Sequence, residues 1–66
     1  MKCFLLERVI QGGAVVYLTG IHRGTAHLSF NPYLAVRFCR HSDAEKVRTG
    51  LPGAPGLRVA EHQFET

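Results

Sequence analysis

The chain has 66 residues, 45% of them apolar, and eight Lys/Arg stand against five Asp/Glu for a net charge of +3. That length fits a single domain (residues 1–66) burying only about 60% of its unfolded surface, too thin for a deep catalytic cleft, while the apolar share excludes a disordered polyelectrolyte. Cys3 and Cys39 are too few for a disulfide-stapled miniprotein. The early Glu7-Arg8 pair argues against a signal-peptide core, and no apolar run reaches the roughly 18 residues of a membrane span, so a reduced cytoplasmic setting is expected.

Residues 2–11 and 14–22 are apolar and β-leaning, and Gly12-Gly13 separates them. Glycines accept the positive φ of a tight turn cheaply, so the pattern predicts a β-hairpin. A two-residue turn sets Arg8 opposite Tyr17 and Cys3 opposite His22. One face then carries Phe4, Leu6, Ile10, Val15, Tyr17 and Ile21; the other carries Cys3, Leu5, Val9, Val16 and Leu18, interrupted by Glu7. A hairpin with one wet face should alternate apolar and polar residues, and this one does not. Two coverings of the second face stay open: another chain, or either the later Gly/Pro loop or the short helical turn of this one.

Thr25 to Phe30 alternates, with Ala26, Leu28 and Phe30 on one side, and predicts a short third strand. Asn31-Pro32 predicts a cap and first residue of one helical turn through Ala35, followed by an extended stretch at 36–40. Ser42-Asp43-Ala44-Glu45 has the form of a capping box. The helix it opens should reach Thr49, stop at Gly50 before Pro52, and press Ala44, Val47 and Leu51 on the sheet. Residues 51–56 read as a loop and 57–64 as a closing strand. The fold expected is α+β, an antiparallel sheet of three or four strands with one short helix packed on a face.

Tyr17-Leu18-Thr19-Gly20, Asn31-Pro32 with Ala35 and Arg37-Phe38, Ala44 in a capped helix and Val59 in the last strand together resemble a recurring type of small phage and prophage protein. Its members show a Tyr-Leu-Thr-Gly strand, an Asp-Pro-x-x-Ala-x-x-Phe turn and a Ser-x-x-Glu-Ala helix. Here Asn31 replaces the Asp, Ala44 precedes Glu45, and the usual tryptophan is missing. The resemblance implies a mobile genetic element, a setting in which short proteins bind and disable host proteins, with anti-CRISPR proteins as the best-known class.

No catalytic set emerges from the residues. His22/His27 and Cys39/His41 lack the spacing of structural zinc ligands, neither cysteine is marked as activated, and the glycines form no phosphate loop. No metal, cofactor or enzymatic activity is expected. The remaining functions are binding functions. Arg8, Val16 and Tyr17 on the hairpin are the candidate contacts to a host protein, for example a CRISPR effector subunit, and a homodimer is compatible with this. Arg23, Arg37, Arg40 and Arg48, with Phe30 or Tyr33 among them, are the candidates for the alternative, nucleic acid or an acidic surface. Phe30 and Phe38 themselves are read as core.

Overall fold

A computed structural model of the chain describes residues 2–51 and 56–64. Four strands, β1 (Lys2–Val9), β2 (Val15–His22), β3 (Thr25–Ser29) and β4 (Arg58–Gln63), form one antiparallel sheet in the order β3-β2-β1-β4, and the helix α1 (His41–Thr49) packs on it. Among the described residues, no helix is long and apolar enough to cross a membrane. The α+β expectation holds with four strands, and the third strand, the one-turn helix and the closing strand lie where the sequence places them. Residues 52–55 of the expected 51–56 loop, Pro52 among them, fall outside the described residues.

The order explains the unbroken apolar character of β1. A strand with neighbours on both edges and cover on both faces has no wet side to mark with polar residues. Leu6, Leu18, Ala44 and Leu57 are buried on the helix side, with Phe4, Ala26, Leu28, Phe38, Val47, Leu51 and Val59 packed around them. Cys3, Leu5, Ala35 and Phe64 are buried on the other side, against Tyr17. Ala44 and Val47 are therefore the face α1 turns to the sheet, and Leu51, just past its end, packs with them as expected.

The register of the first hairpin differs from expectation. Glu7 faces Tyr17, Arg8 faces Val16 and Val9 faces Val15. Gln11–Gly13 closes the hairpin, with Gly13 N–H donating to the Ile10 carbonyl at 3.1 Å and Gly12 at the non-helical φ 87° and ψ 0°. Those angles match the third position of a type II turn, which needs a residue tolerant of positive φ. A three-residue loop in place of a two-residue one slips the pairing by one position. That slip moves one whole strand's side chains to the opposite face. Phe4, Leu6, Arg8, Val16 and Leu18 now share the helix side, while Cys3, Leu5, Glu7, Val15 and Tyr17 share the other. Arg8 is thus not beside Tyr17, and Cys3 pairs with His62 on β4 in place of His22.

The two-residue turn lies between β2 and β3, where His22 faces Thr25 across Arg23 (φ 53°) and Gly24 (φ 76°). Positive φ at both central positions is the type I′ signature that suits strand twist.

The ladder between β1 and β2 ends at Glu7 and Tyr17, and beyond that pair the strands part. Residues 36–38 enter the gap. Val36 N–H donates to the Leu18 carbonyl at 2.9 Å, and Phe38 exchanges both backbone bonds with Phe4, at 2.8 and 2.9 Å. The segment 30–40 is therefore a strap that crosses the sheet, with Ala35 buried on one side and Phe38 packed on the helix side. It is the strap, with Phe64, that covers the second apolar face. Of the two coverings left open by the sequence, the chain's own short helical turn is the one found.

The expected capping box is absent. The residue before α1 is Arg40, which makes no side-chain cap bond, and Ser42 lies inside the first turn. Glu45 bonds forward to Arg48, whose Nε and Nη2 lie 3.1 and 2.7 Å from its carboxylate. Pairing Phe38 with Phe4 leaves only Cys39 and Arg40 before the helix, so the entry point is set by the strap and not by the Ser42 hydroxyl.

Candidate protein-binding surface

The strap's turn is built by local bonds. Asn31 Oδ1 accepts from Tyr33 N–H at 3.0 Å, Asn31 N–H donates to Ser29 Oγ at 3.1 Å, and Pro32–Leu34 forms one 3₁₀ turn with Pro in its first position. Side chains on a 3₁₀ turn point about 120° apart, so one turn cannot bury three consecutive large residues on one sheet. Ala35, the next residue, is the one that goes inward. Phe30, Tyr33 and Leu34 remain 65%, 67% and 62% exposed. The expectation that Phe30 is core fails here, because it lies just past the end of β3; Phe38 is core as expected.

Beside this apolar cluster, rings stack toward the sheet. Tyr33 packs on Phe64 with centroids 5.2 Å apart, and the Arg37 guanidinium sits 4.2 Å above the same Phe64 ring. Phe64 stacks with His62 at 6.2 Å, and His62 meets Tyr17 edge-on at 5.7 Å. Glu7 anchors the row. It is a carboxylate with only 5% of its residue surface exposed, and its Oε2 accepts from Arg58 Nε at 3.2 Å and Nη2 at 2.8 Å. Its Oε1 lies 2.9 Å from His62 Nε2. Burial opposes ionisation of Glu7, but the hydrogen bonds from His62 and Arg58, with their charges, outweigh it and hold the carboxyl below its ordinary value.

The residues singled out from sequence are dispersed by the fold. Val16 is buried, and a buried valine presents nothing to a partner. Arg8 is half-buried on the helix side, whereas Tyr17 lies on the opposite side against His62. Arg23 is in the β2–β3 turn, Arg40 precedes α1, and Arg48 in the last turn of α1 is paired with Glu45. Of the four cations proposed for acidic contacts, Arg37 and Arg40 are on the strap, and Arg37 is the one seated on the Phe64 ring that Tyr33 also meets. Sequence reasoning missed the Glu7–Arg58–His62 group, in which Glu7 is more than 50 positions from the other two. It also missed the exposure of Leu34, for which the available signal was the run Pro32-Tyr33-Leu34 on a one-turn helix.

Among the described residues no three His, Cys, Asp or Glu side chains come together as a metal site. Cys3 is buried and Cys39 exposed, both as free thiols. Compared with protein-family models, curated proteins and solved structures, the chain matches none, so its function is argued from its own residues.

Proposed function

We propose that this chain is a small non-enzymatic binding module that inhibits a host protein complex by occupying a surface on it, an anti-CRISPR type of action in the phage or mobile-element setting its motifs resemble. The observation that carries the reading is the exposed Phe30–Tyr33–Leu34 cluster on an anchored turn flanked by Arg37. Aromatic residues and arginine in a rigid, well-packed setting are the usual energetic anchors of protein interfaces, and a pre-ordered turn lowers the entropy lost on binding. The contact region thus moves from the hairpin residues Arg8 and Val16 to the strap. An apolar patch with acidic rim groups is the complementary partner surface, given Arg37 and the net charge of +3.

The second reading is a nucleic-acid accessory protein, favoured by the same adjacency of Tyr33 and Arg37, since exposed rings next to a guanidinium also stack bases. One experiment separates the two. Tagged protein and its Tyr33→Glu/Leu34→Glu variant are used to capture partners from host lysate, with and without nuclease. The inhibitor reading expects a stoichiometric protein partner that survives nuclease and is lost with the variant, while both proteins keep the same circular dichroism. Loss of all partners after nuclease, with wild-type binding that weakens steeply in salt, would establish the nucleic-acid reading instead.

A further inference from the structure

We infer that His22 and His27 form a two-histidine clamp for a divalent transition metal ion of the zinc, nickel or copper type, carried on the β2–β3 ribbon. In sequence the two lie five apart, a spacing that matches no structural zinc motif. The ribbon's register brings them together. Leu18 faces Leu28, but the next opposed pair is Gly20 with His27, because a bulge takes up Thr19. Side chains alternate between faces along a strand, so without that extra residue His22 and His27 would lie on opposite faces. With it, Gly20, His22, Thr25 and His27 share one face. Thr19 Oγ1 donates to the His27 carbonyl at 3.1 Å, and the Arg23-Gly24 turn closes the ribbon beyond. Bulges re-aim side chains in this way and recur next to functional sites.

The geometry fits one shared ion. The two ring centroids are 6.2 Å apart, with their planes at 69°. A metal bonded to a ring nitrogen at about 2.0–2.1 Å stands roughly 3.2 Å from the centre of that ring. Two rings on one ion therefore have centres about 5.2 Å apart at a tetrahedral angle and about 6.4 Å apart when opposed. The observed separation lies inside that span. Both rings are exposed, and neither makes a hydrogen bond or ion pair with any described residue, so each keeps an imidazole lone pair for a ligand. His62, by contrast, spends its Nε2 on Glu7. A Cβ on Gly20, opposite His27, would meet nothing within 4 Å, which leaves open space there for an ion and its waters.

The donor set selects the ion. Imidazole nitrogen suits zinc, nickel and copper, whereas magnesium and calcium require carboxylate and carbonyl oxygens. Residues 15–29 carry no Asp or Glu, so the ribbon's side chains offer the hard cations no carboxylate. Arg23 in the turn opposes any cation, but it is exposed to water and salt, which screen that repulsion. Two protein ligands leave the remaining positions to water, which makes this an open site and not a closed structural one. None of its residues belongs to the strap, so this inference stands apart from the proposed host target.

The test titrates zinc chloride and nickel chloride into the full chain carrying Cys39→Ser, which removes the exposed thiol as a rival ligand. The histidine ring protons are followed by nuclear magnetic resonance. His22 and His27 are expected to respond together and to saturate at one ion per chain, shifted by zinc and broadened by nickel. His41 and His62 should hold still, and magnesium chloride should have no effect. His22→Gln and His27→Gln, with unchanged circular dichroism, should each weaken zinc binding by more than the roughly tenfold cost of losing even an outer hydrogen-bond partner of a ligand. Zinc should also raise the melting temperature of the parent protein and not of the variants at the same concentration. No saturable response at millimolar zinc, a response confined to His41 or His62, or variants that bind as tightly as the parent would each overturn it.

Discussion

Removing Arg58 should harm this protein more than removing the buried acid it serves. Glu7 keeps 7% of its side chain exposed, whereas Arg58 keeps 61%. In Arg58→Met the aliphatic stem is retained, but the carboxylate loses two of its three hydrogen bonds while still buried. Hydrogen bonds to a charged group contribute about 1.5–3 kcal/mol each, and the exposure of Arg58 to water roughly halves that, giving a loss of about 2 kcal/mol. The whole domain holds only about 3–10 kcal/mol at the usual stability per residue. A melting temperature lower by roughly 8–16 °C is the expected result. Glu7→Leu instead removes the buried charge and returns Arg58 and the partly exposed His62 to water. Replacing a buried ionic group by an apolar side chain is often near neutral, so its cost is expected to stay below about 1 kcal/mol. The double variant should then behave like Glu7→Leu alone. Urea melts of the four proteins test this, and additive losses, or a Glu7→Leu loss larger than that of Arg58→Met, would refute the reasoning.

The same carboxylate predicts the acid limb of stability. Because the folded-state value of Glu7 lies below its ordinary 4.5, its contribution is complete above that pH and disappears as pH falls through the lowered value. Melting temperature against pH should be flatter on that limb in Glu7→Leu than in wild type. Arg23 holds φ 53° beside Gly24, so Arg23→Asn, which creates the preferred Asn-Gly turn, should raise stability by about 0.5–1 kcal/mol in the same urea assay. Arg40 occupies the cap position of α1 with no side-chain bond to it. Arg40→Ser should therefore stabilise by about 1 kcal/mol, seen as a higher urea midpoint with an unchanged slope. Leu6 is fully buried against Leu18, Ala44 and Leu57, and Leu6→Ala should cost about 2–5 kcal/mol, enough to leave much of the population unfolded by circular dichroism at 25 °C.

What was legible from sequence was whatever short-range chemistry decides. Alternation located β3, Asn31-Pro32 located the strap's turn, and Gly50 stands at the end of α1, its N–H donating to the Lys46 carbonyl at 3.1 Å. The losses came where a local signal allows two outcomes. Gly12-Gly13 serves a two-residue or a three-residue loop equally well, and that single difference decided which residues join Glu7 and Tyr17. The true two-residue turn was hidden because arginine rarely takes positive φ. Ser42 lost its capping role to a long-range constraint, the bridge between Phe38 and Phe4. The Glu7–Arg58 bond spans 51 positions, and no local pattern announces it.

These corrections change which feature bears on function. An apolar hairpin suggested a missing partner, but β1 is apolar because it is a central strand with the strap on one side and α1 on the other. Surplus hydrophobicity in β1 is therefore accounted for within the chain and argues for no interface. Phe30, Tyr33 and Leu34 are different: their turn is fixed by Asn31 and Pro32, Ala35 is the residue of the turn that goes inward, and all three stay mostly exposed even though Tyr33 meets Phe64. Burying Ala35 needs neither a phenylalanine before the turn nor a tyrosine and leucine within it. The cost of displaying those three side chains to water is one that folding does not require, and for that reason the strap, not the hairpin, is the place to look for the partner.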